Sequence, residues 1–239
     1  MEYKIKGDTM PVLQIQLNPG EAIFTESGGM AWMTDGIDMN TGSRGGIGKM
    51  LGRALSGESL FLTTYKASQK GAIAFTPESL GKIIPMNLEA GSTIIAQKDA
   101  FMCAEDSVEL AMHFRKKLGA GLFGGEGFIL QKVTGPGVAF MEIYGEVTEY
   151  NLQPGQRLKV DPGHIAMFEP TVNYDITMVK GLKNMFLSGE GVFLATLQGP
   201  GKVWLQTLPL GNLAAKIASR VPAKGGGGGG IINILTDLT

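Results

Sequence analysis

Three stretches of the 239-residue chain align with one another without a gap: LNPGEAIFTESGGMAWMT from Leu17, LEAGSTIIAQKDAFMCAE from Leu88 and LQPGQRLKVDPGHIAMFE from Leu152. A second set follows in the same order, GESLFL from Gly57, GEGFIL from Gly125 and GEGVFL from Gly189. The second set trails the first by 40, 37 and 37 residues, so two independent motifs recur in step. Such a chain is expected to fold as three copies of one unit, about residues 10–76, 77–143 and 144–209, each burying its apolar face against itself and its neighbours.

The local chemistry of the unit is that of β-structure. In Pro19-Gly20 and Pro154-Gly155, proline presets φ at the first central turn position and glycine accepts the positive φ of a type II turn; Ala90-Gly91 keeps only the glycine. Apolar residues then alternate, as in Leu158 and Val160 around Lys159, which marks a half-buried strand. The compact runs MAWM, FMCA and HIAMF read as buried strands, and the Gly-Pro-Gly sites at 135–137 and 199–201 read as turns of hairpin-like strand pairs. Between the two motifs the period changes. Ile47, Met50, Leu51, Ala54 and Leu55 form a helical stripe, echoed by Phe114, Leu118 and Leu122 and by Val179, Leu182 and Phe186. A further helix is expected over about 212–220, ended by Pro222, then a glycine linker at 223–230 and a tail strand at 231–239. The fold class is therefore all-β, mainly strand with a few short helices, in one compact domain over 1–222.

Composition enters as an exclusion. Hydrophobic residues at 44% supply a core, and a net charge of −1 provides no global attraction to nucleic acid or an anionic membrane. Glycine, at 36 residues, is about twice the usual roughly 7% share, and much of it falls at the turns above or in the run Gly225 to Gly230. A single cysteine, Cys103, excludes an intramolecular disulfide framework and points to a reducing, cytoplasmic setting. No signal-type segment or stretch of 18 apolar residues occurs, so a soluble chain is expected.

The repeated LxPG and GEGxFL patterns, the Gly-Pro-Gly turns and the late glycine run together resemble the altered-inheritance-of-mitochondria protein family over roughly residues 1 to 222. The resemblance implies the fold of the tryptophan RNA-binding attenuator superfamily, a short relative of the double-stranded β-helix, present three times per chain with pseudo-symmetry. It also implies a homo-oligomer, a trimer. Mitochondrial members are associated with inner-membrane organisation, but this chain lacks an Arg-rich presequence and looks prokaryotic. The resemblance brings no catalytic residue with it.

A search for chemistry yields little. His113 and His164 are the only histidines, which excludes a histidine metal cage, and His164 reads as a solvated turn residue; Cys103 reads as a buried small hydrophobe. The pairs Gly57-Glu58, Gly125-Glu126 and Gly189-Glu190, like Gly20, Gly91 and Gly155, read as architecture, the glutamates holding backbone N–H groups or a nearby cation. No cofactor or metal is expected. Charge placement is more informative. Arg44, Lys49 and Arg53, then Arg115, Lys116 and Lys117, then Lys180 and Lys183 put 8 of 21 basic residues into three equivalent segments without acidic neighbours. Such a face suits anionic lipid headgroups or a partner protein, at about 1 kcal/mol per cation near the surface. Nucleic acid is disfavoured because aromatics are not interleaved with these cations. The expectation is a non-enzymatic, oligomeric structural or scaffold protein, peripheral to a membrane; the alternative is a small-ligand or RNA-binding module.

Overall fold

A computed structural model describes residues 1–26, 29–42, 62–116, 127–178, 193–218 and 220. Strand dominates. After β1 (Glu2–Lys6) come β2 (Val12–Leu17), β3 (Ala22–Glu26), β4 (Met30–Met33), β5 (Ile37–Gly42), β6 (Leu62–Ala67) and β7 (Gly71–Phe75). The next six are β8 (Gly81–Leu88), β9 (Thr93–Gln97), β10 (Phe101–Glu105), β11 (Glu109–Lys116), β12 (Phe128–Thr134) and β13 (Gly137–Tyr144). The last six are β14 (Val147–Leu152), β15 (Arg157–Val160), β16 (Ile165–Phe168), β17 (Asn173–Met178), β18 (Phe193–Gln198) and β19 (Gly201–Gln206), followed by helix α1 (Leu210–Ala218). The helix begins and ends two residues before the span expected from its apolar spacing.

Pairing follows one scheme in each set of six. The first, sixth and third strands lie side by side (β2-β7-β4, β8-β13-β10, β14-β19-β16), and so do the fourth, fifth and second (β5-β6-β3, β11-β12-β9, β15-β18-β17). The sets are stitched antiparallel, second strand to the next set's third: Phe24 on β3 lies opposite Ala104 on β10, and Ile95 on β9 opposite Phe168 on β16. Two six-stranded sheets therefore each span two sets, flanked by smaller sheets that end in β4 and β15. Apolar side chains fill the interior in three clusters, one around Ile15 and Phe140, one around Phe24, Phe101 and Trp204, and one around Phe128 and Phe168.

The turn glycines behave as type II turns require: Gly20, Gly91 and Gly155 have φ of 90°, 81° and 78°. Two expectations need correction. The strands around Gly-Pro-Gly are not hairpin partners, since β12 pairs with β11 and β9 whereas β13 pairs with β10 and β8, and β18 and β19 diverge likewise. The reason lies in the corner glycine. Gly135 and Gly199 donate their N–H to Ser92 and Gln156 in the preceding turn, and a Cβ there would meet Glu89 O at 2.4 Å or Gln153 O at 2.5 Å. The corner is held down on that turn, which sends the chain into the other sheet. Secondly, Phe114, the first residue of the second helical stripe, lies in a strand, while Leu118 and Leu122 fall outside the described residues. Residues 114–116 remain strand, with Lys116 opposite Phe128.

Candidate functional site

Among the described residues, most of the buried polar side chains, Thr25, Gln97, Gln131, Glu142 and Gln206, lie where one six-strand set meets the next. Seven residues past Gly71 and Gly137, the backbone N–H groups of Glu78 and Tyr144 emerge from the end of a set and need an acceptor. The sixth strand of the following set supplies it. Glu142 Oε2 accepts Glu78 N–H at 3.0 Å, and Gln206 Oε1 accepts Tyr144 N–H at 3.2 Å. Gln206 also donates through Nε2 to Gly163 O at 2.9 Å, so its amide is used at both ends. Glu142 is only 7% exposed, and burial, partly offset by the Glu78 N–H bond and assisted by the nearby Glu78 and Asp99 carboxylates, pushes its pKa up to about 8.

The second joint contains a cavity of about 210 Å3 bounded by Gln97, Asp99, Tyr144, Gln206 and the start of α1 from Leu210 to Asn212. Gln97 Nε2 donates to Asp99 Oδ2 at 3.0 Å, which leaves Gln97 Oε1 without a partner, as is Tyr144 Oη. Burial, with Glu142, Glu78 and Asp99, drives the Tyr144 pKa upward and keeps the phenol protonated. His164, half-buried in its turn, contacts Gln206 O through Nδ1 at 2.7 Å.

A second feature separates the ends of the chain from its middle. Cys103, Ala104, Met167 and Phe168 on β10 and β16 are at most 1% exposed, because a second strand of the preceding set covers them. Trp32 and Met33 hold the same positions on β4, which ends its sheet, and are 52% and 36% exposed. At the other end β15 also closes a sheet, with Lys159 exposed and Leu158 half-buried where β9 carries buried Ile95 and Ile94 and β3 carries buried Phe24 and Ile23. Trp32 and Met33 carried no separate signal, since MAWM is as apolar as FMCA.

Of the basic residues singled out from the sequence, Arg115 lies exposed near the end of β11, and Lys116 donates its ammonium to Ile176 O, tying two sets together. Arg44, Lys49, Arg53, Lys117, Lys180 and Lys183 fall outside the described residues, as do Gly57, Glu58, Gly125, Glu126, Gly189 and Glu190. Cys103 is fully buried, and burial with the charge of Glu142 raises its thiol pKa well above the usual range, so it is not poised as a nucleophile. Among the described residues, no group of three or more His, Cys, Asp or Glu is placed to hold a metal ion, and no helix is long and apolar enough to cross a membrane. The joint residues could have been noticed as isolated polar positions, Glu142 and Gln206, within the apolar runs FMEIY and WLQTL.

This repeating scheme of strand pairing can be set beside known proteins. The chain matches Mitochondrial biogenesis AIM24 over residues 3–208, nearly its whole length. It belongs to the AIM24 family. An uncharacterised relative from Streptococcus pyogenes serotype M6 is 29% identical over 221 residues, 89% of this chain and 87% of the relative. The crystal structure of another Streptococcus pyogenes protein superposes with a TM-score of 0.75, covering 92% of this chain and 99% of that one. At 23% identity that likeness establishes a shared fold. The family resemblance read from the motifs is thus borne out.

Proposed function

We propose that this AIM24 protein is a non-catalytic structural component that assembles head to tail into a closed homo-oligomer, a trimer, with β15 of one copy adding to β4 of the next. The observation that carries the reading is the pair of unmatched edges. Among the described residues, a second strand joins the next set's third strand twice, and β15 and β4 are the one second strand and the one third strand left at sheet ends. Transferring the internal register puts Met33 opposite Lys159 and Trp32 opposite Val160 of the neighbouring copy. An exposed apolar edge strand invites such pairing, and a head-to-tail contact closes into a ring when its rotation divides the circle. Trp32 would supply the buried aromatic anchor that dominates interfaces of this kind.

Light scattering on the purified chain tests this. The expected mass is about three times 25.3 kDa. Met33→Lys, which places a cation opposite Lys159, shifts the mass toward the single chain, and Lys159→Glu in the same protein restores it. A wild-type mass of one chain, or a Met33→Lys mass unchanged, refutes the assembly.

A ring of this kind would multiply the basic segments. Their grouping without acidic residues supports a peripheral role at an anionic membrane surface. Co-sedimentation with phosphatidylserine vesicles at low salt checks it, with charge reversal at Lys49, Arg53, Arg115 and Lys117 expected to abolish binding. Wild-type protein that stays in the supernatant, or reversed protein that still sediments, removes the membrane role.

A further inference from the structure

We propose that the cavity at the second joint binds a small organic cation, a guanidinium or alkylammonium group, held by Asp99, Gln97 Oε1 and Tyr144 Oη. The inference stands on hydrogen-bonding capacity, charge and volume, and does not depend on assembly, since none of these residues lies on β4 or β15.

Capacity comes first. Gln206 has both ends of its amide committed, to Tyr144 N and Gly163 O, and Gln97 has its Nε2 committed to Asp99. What remains is mostly acceptor: Gln97 Oε1 and Tyr144 Oη, on side chains 5% and 1% exposed, and the Asp99 carboxylate at the exposed mouth. Buried polar atoms left unpartnered are destabilising, so a ligand that donates to them recovers that penalty. The phenol and the exposed Asn212 amide are side-chain donors of the lining.

Charge then selects among donors. The Glu78 and Asp99 carboxylates act on Tyr144 with one sign, while Glu142, its pKa raised to about 8, is mainly protonated at pH 7. Opposing them is the first turn of α1, and a helix N-terminus carries only about half a positive charge, screened near the surface. One ionised Asp99 outweighs it, so the cavity prefers a cation to an anion and a charged donor to a neutral amide. Volume sets the size. At about 30 Å3 per water in the liquid, about 210 Å3 corresponds to about seven waters, room for one guanidinium or short alkylammonium group together with a few waters. The same group arrives either on a free small molecule or on an arginine or lysine side chain of a peptide.

Isothermal titration of the full chain at pH 7 with methylguanidinium, ethylammonium, acetamide and acetate separates these chemistries, and acetyl-Gly-Arg-Gly-amide separates a side chain from a free molecule. The expected result is saturable binding of one cation per chain, weakened at least tenfold by Asp99→Asn and several-fold by Tyr144→Phe, with acetamide and acetate silent. Asp99 is exposed, so Asp99→Asn retains the fold, and an unchanged melting temperature verifies it. Tighter binding of the peptide than of methylguanidinium assigns the cation to a partner's side chain; the reverse assigns a free molecule. No saturable cation binding, binding unaltered in Asp99→Asn, or acetamide binding as well as the cations overturns the proposal.

Discussion

The two joints between six-strand sets meet the same backbone demand with different side chains. At the first, Glu142 takes the Glu78 N–H; at the second, Gln206 takes the Tyr144 N–H and also supplies an N–H of its own to Gly163 O. An amide is neutral at every pH and carries donor and acceptor together. A carboxyl group matches it only when protonated, and the raised pKa of Glu142 is the physical sign that this site favours the protonated form. The joints differ in a second respect. Thr25 Oγ1 donates to Met102 O at 2.5 Å across the first, while the corresponding position at the second is Ala96. The comparison teaches that the backbone scheme tolerates exchange at its buried polar contacts provided hydrogen-bond count and neutrality are kept.

The sharpest way to break this comparison is pH. The ordinary pKa of 4.5 for Glu142 rises to about 8 in the fold, so its contribution is intact below pH 4.5 and is lost as pH climbs through about 8. The groups facing it are Glu78, Asp99, Tyr144 and Cys103, of which Tyr144 and Cys103 stay neutral over this range. Stability should fall by about 1.4 kcal/mol per pH unit in that window, several kcal/mol in all. Glu142→Gln should flatten the profile and make the variant the more stable protein at pH 8. Urea unfolding at pH 5 to 9 measures it, and parallel slopes for the two proteins would end the equivalence with Gln206.

The next largest effect is at the second joint. Gln206→Leu leaves Tyr144 N–H and Gly163 O unpartnered and should cost about 3 kcal/mol in the same assay, independent of pH. Thr25→Val, which touches the first joint alone, should cost about 1 kcal/mol. The smallest effect tests the turns. Gly20, Gly91 and Gly155 have positive φ with open space around them, so alanine at any of the three should cost about the same 1–2 kcal/mol through backbone strain alone. Unequal melting shifts among the three would show that the sets are less alike than their pairing.

The turns and the strand class were legible because their causes are local: proline and glycine set φ by covalent geometry, and alternation reports one buried face. Pairing across the Gly-Pro-Gly corners was not, because a glycine-rich corner between two apolar strands reads as a hairpin unless one knows that Gly135 N–H and Gly199 N–H are taken by the preceding turn. The strand residues Phe114 to Lys116 illustrate the same limit, since three cross-strand partners, Phe128 to Leu130 on β12, hold them in the sheet. Of the candidate surface, Arg115 and Lys116 are placed, and Lys116 turned out to serve a carbonyl on another set.

The sequence by itself determined the all-β class, the family and the positions of the turns, because each depends on contacts a few residues long. Only the tertiary structure decided which equivalent residues are buried. Trp32, Cys103 and Met167 occupy one position in three similar runs, yet Trp32 alone is exposed, because β10 and β16 each have a preceding set to cover them and β4 has none. Burial depends on what lies beside a strand, and in a chain of joined sets that depends on position along the chain rather than on the residues of the strand itself.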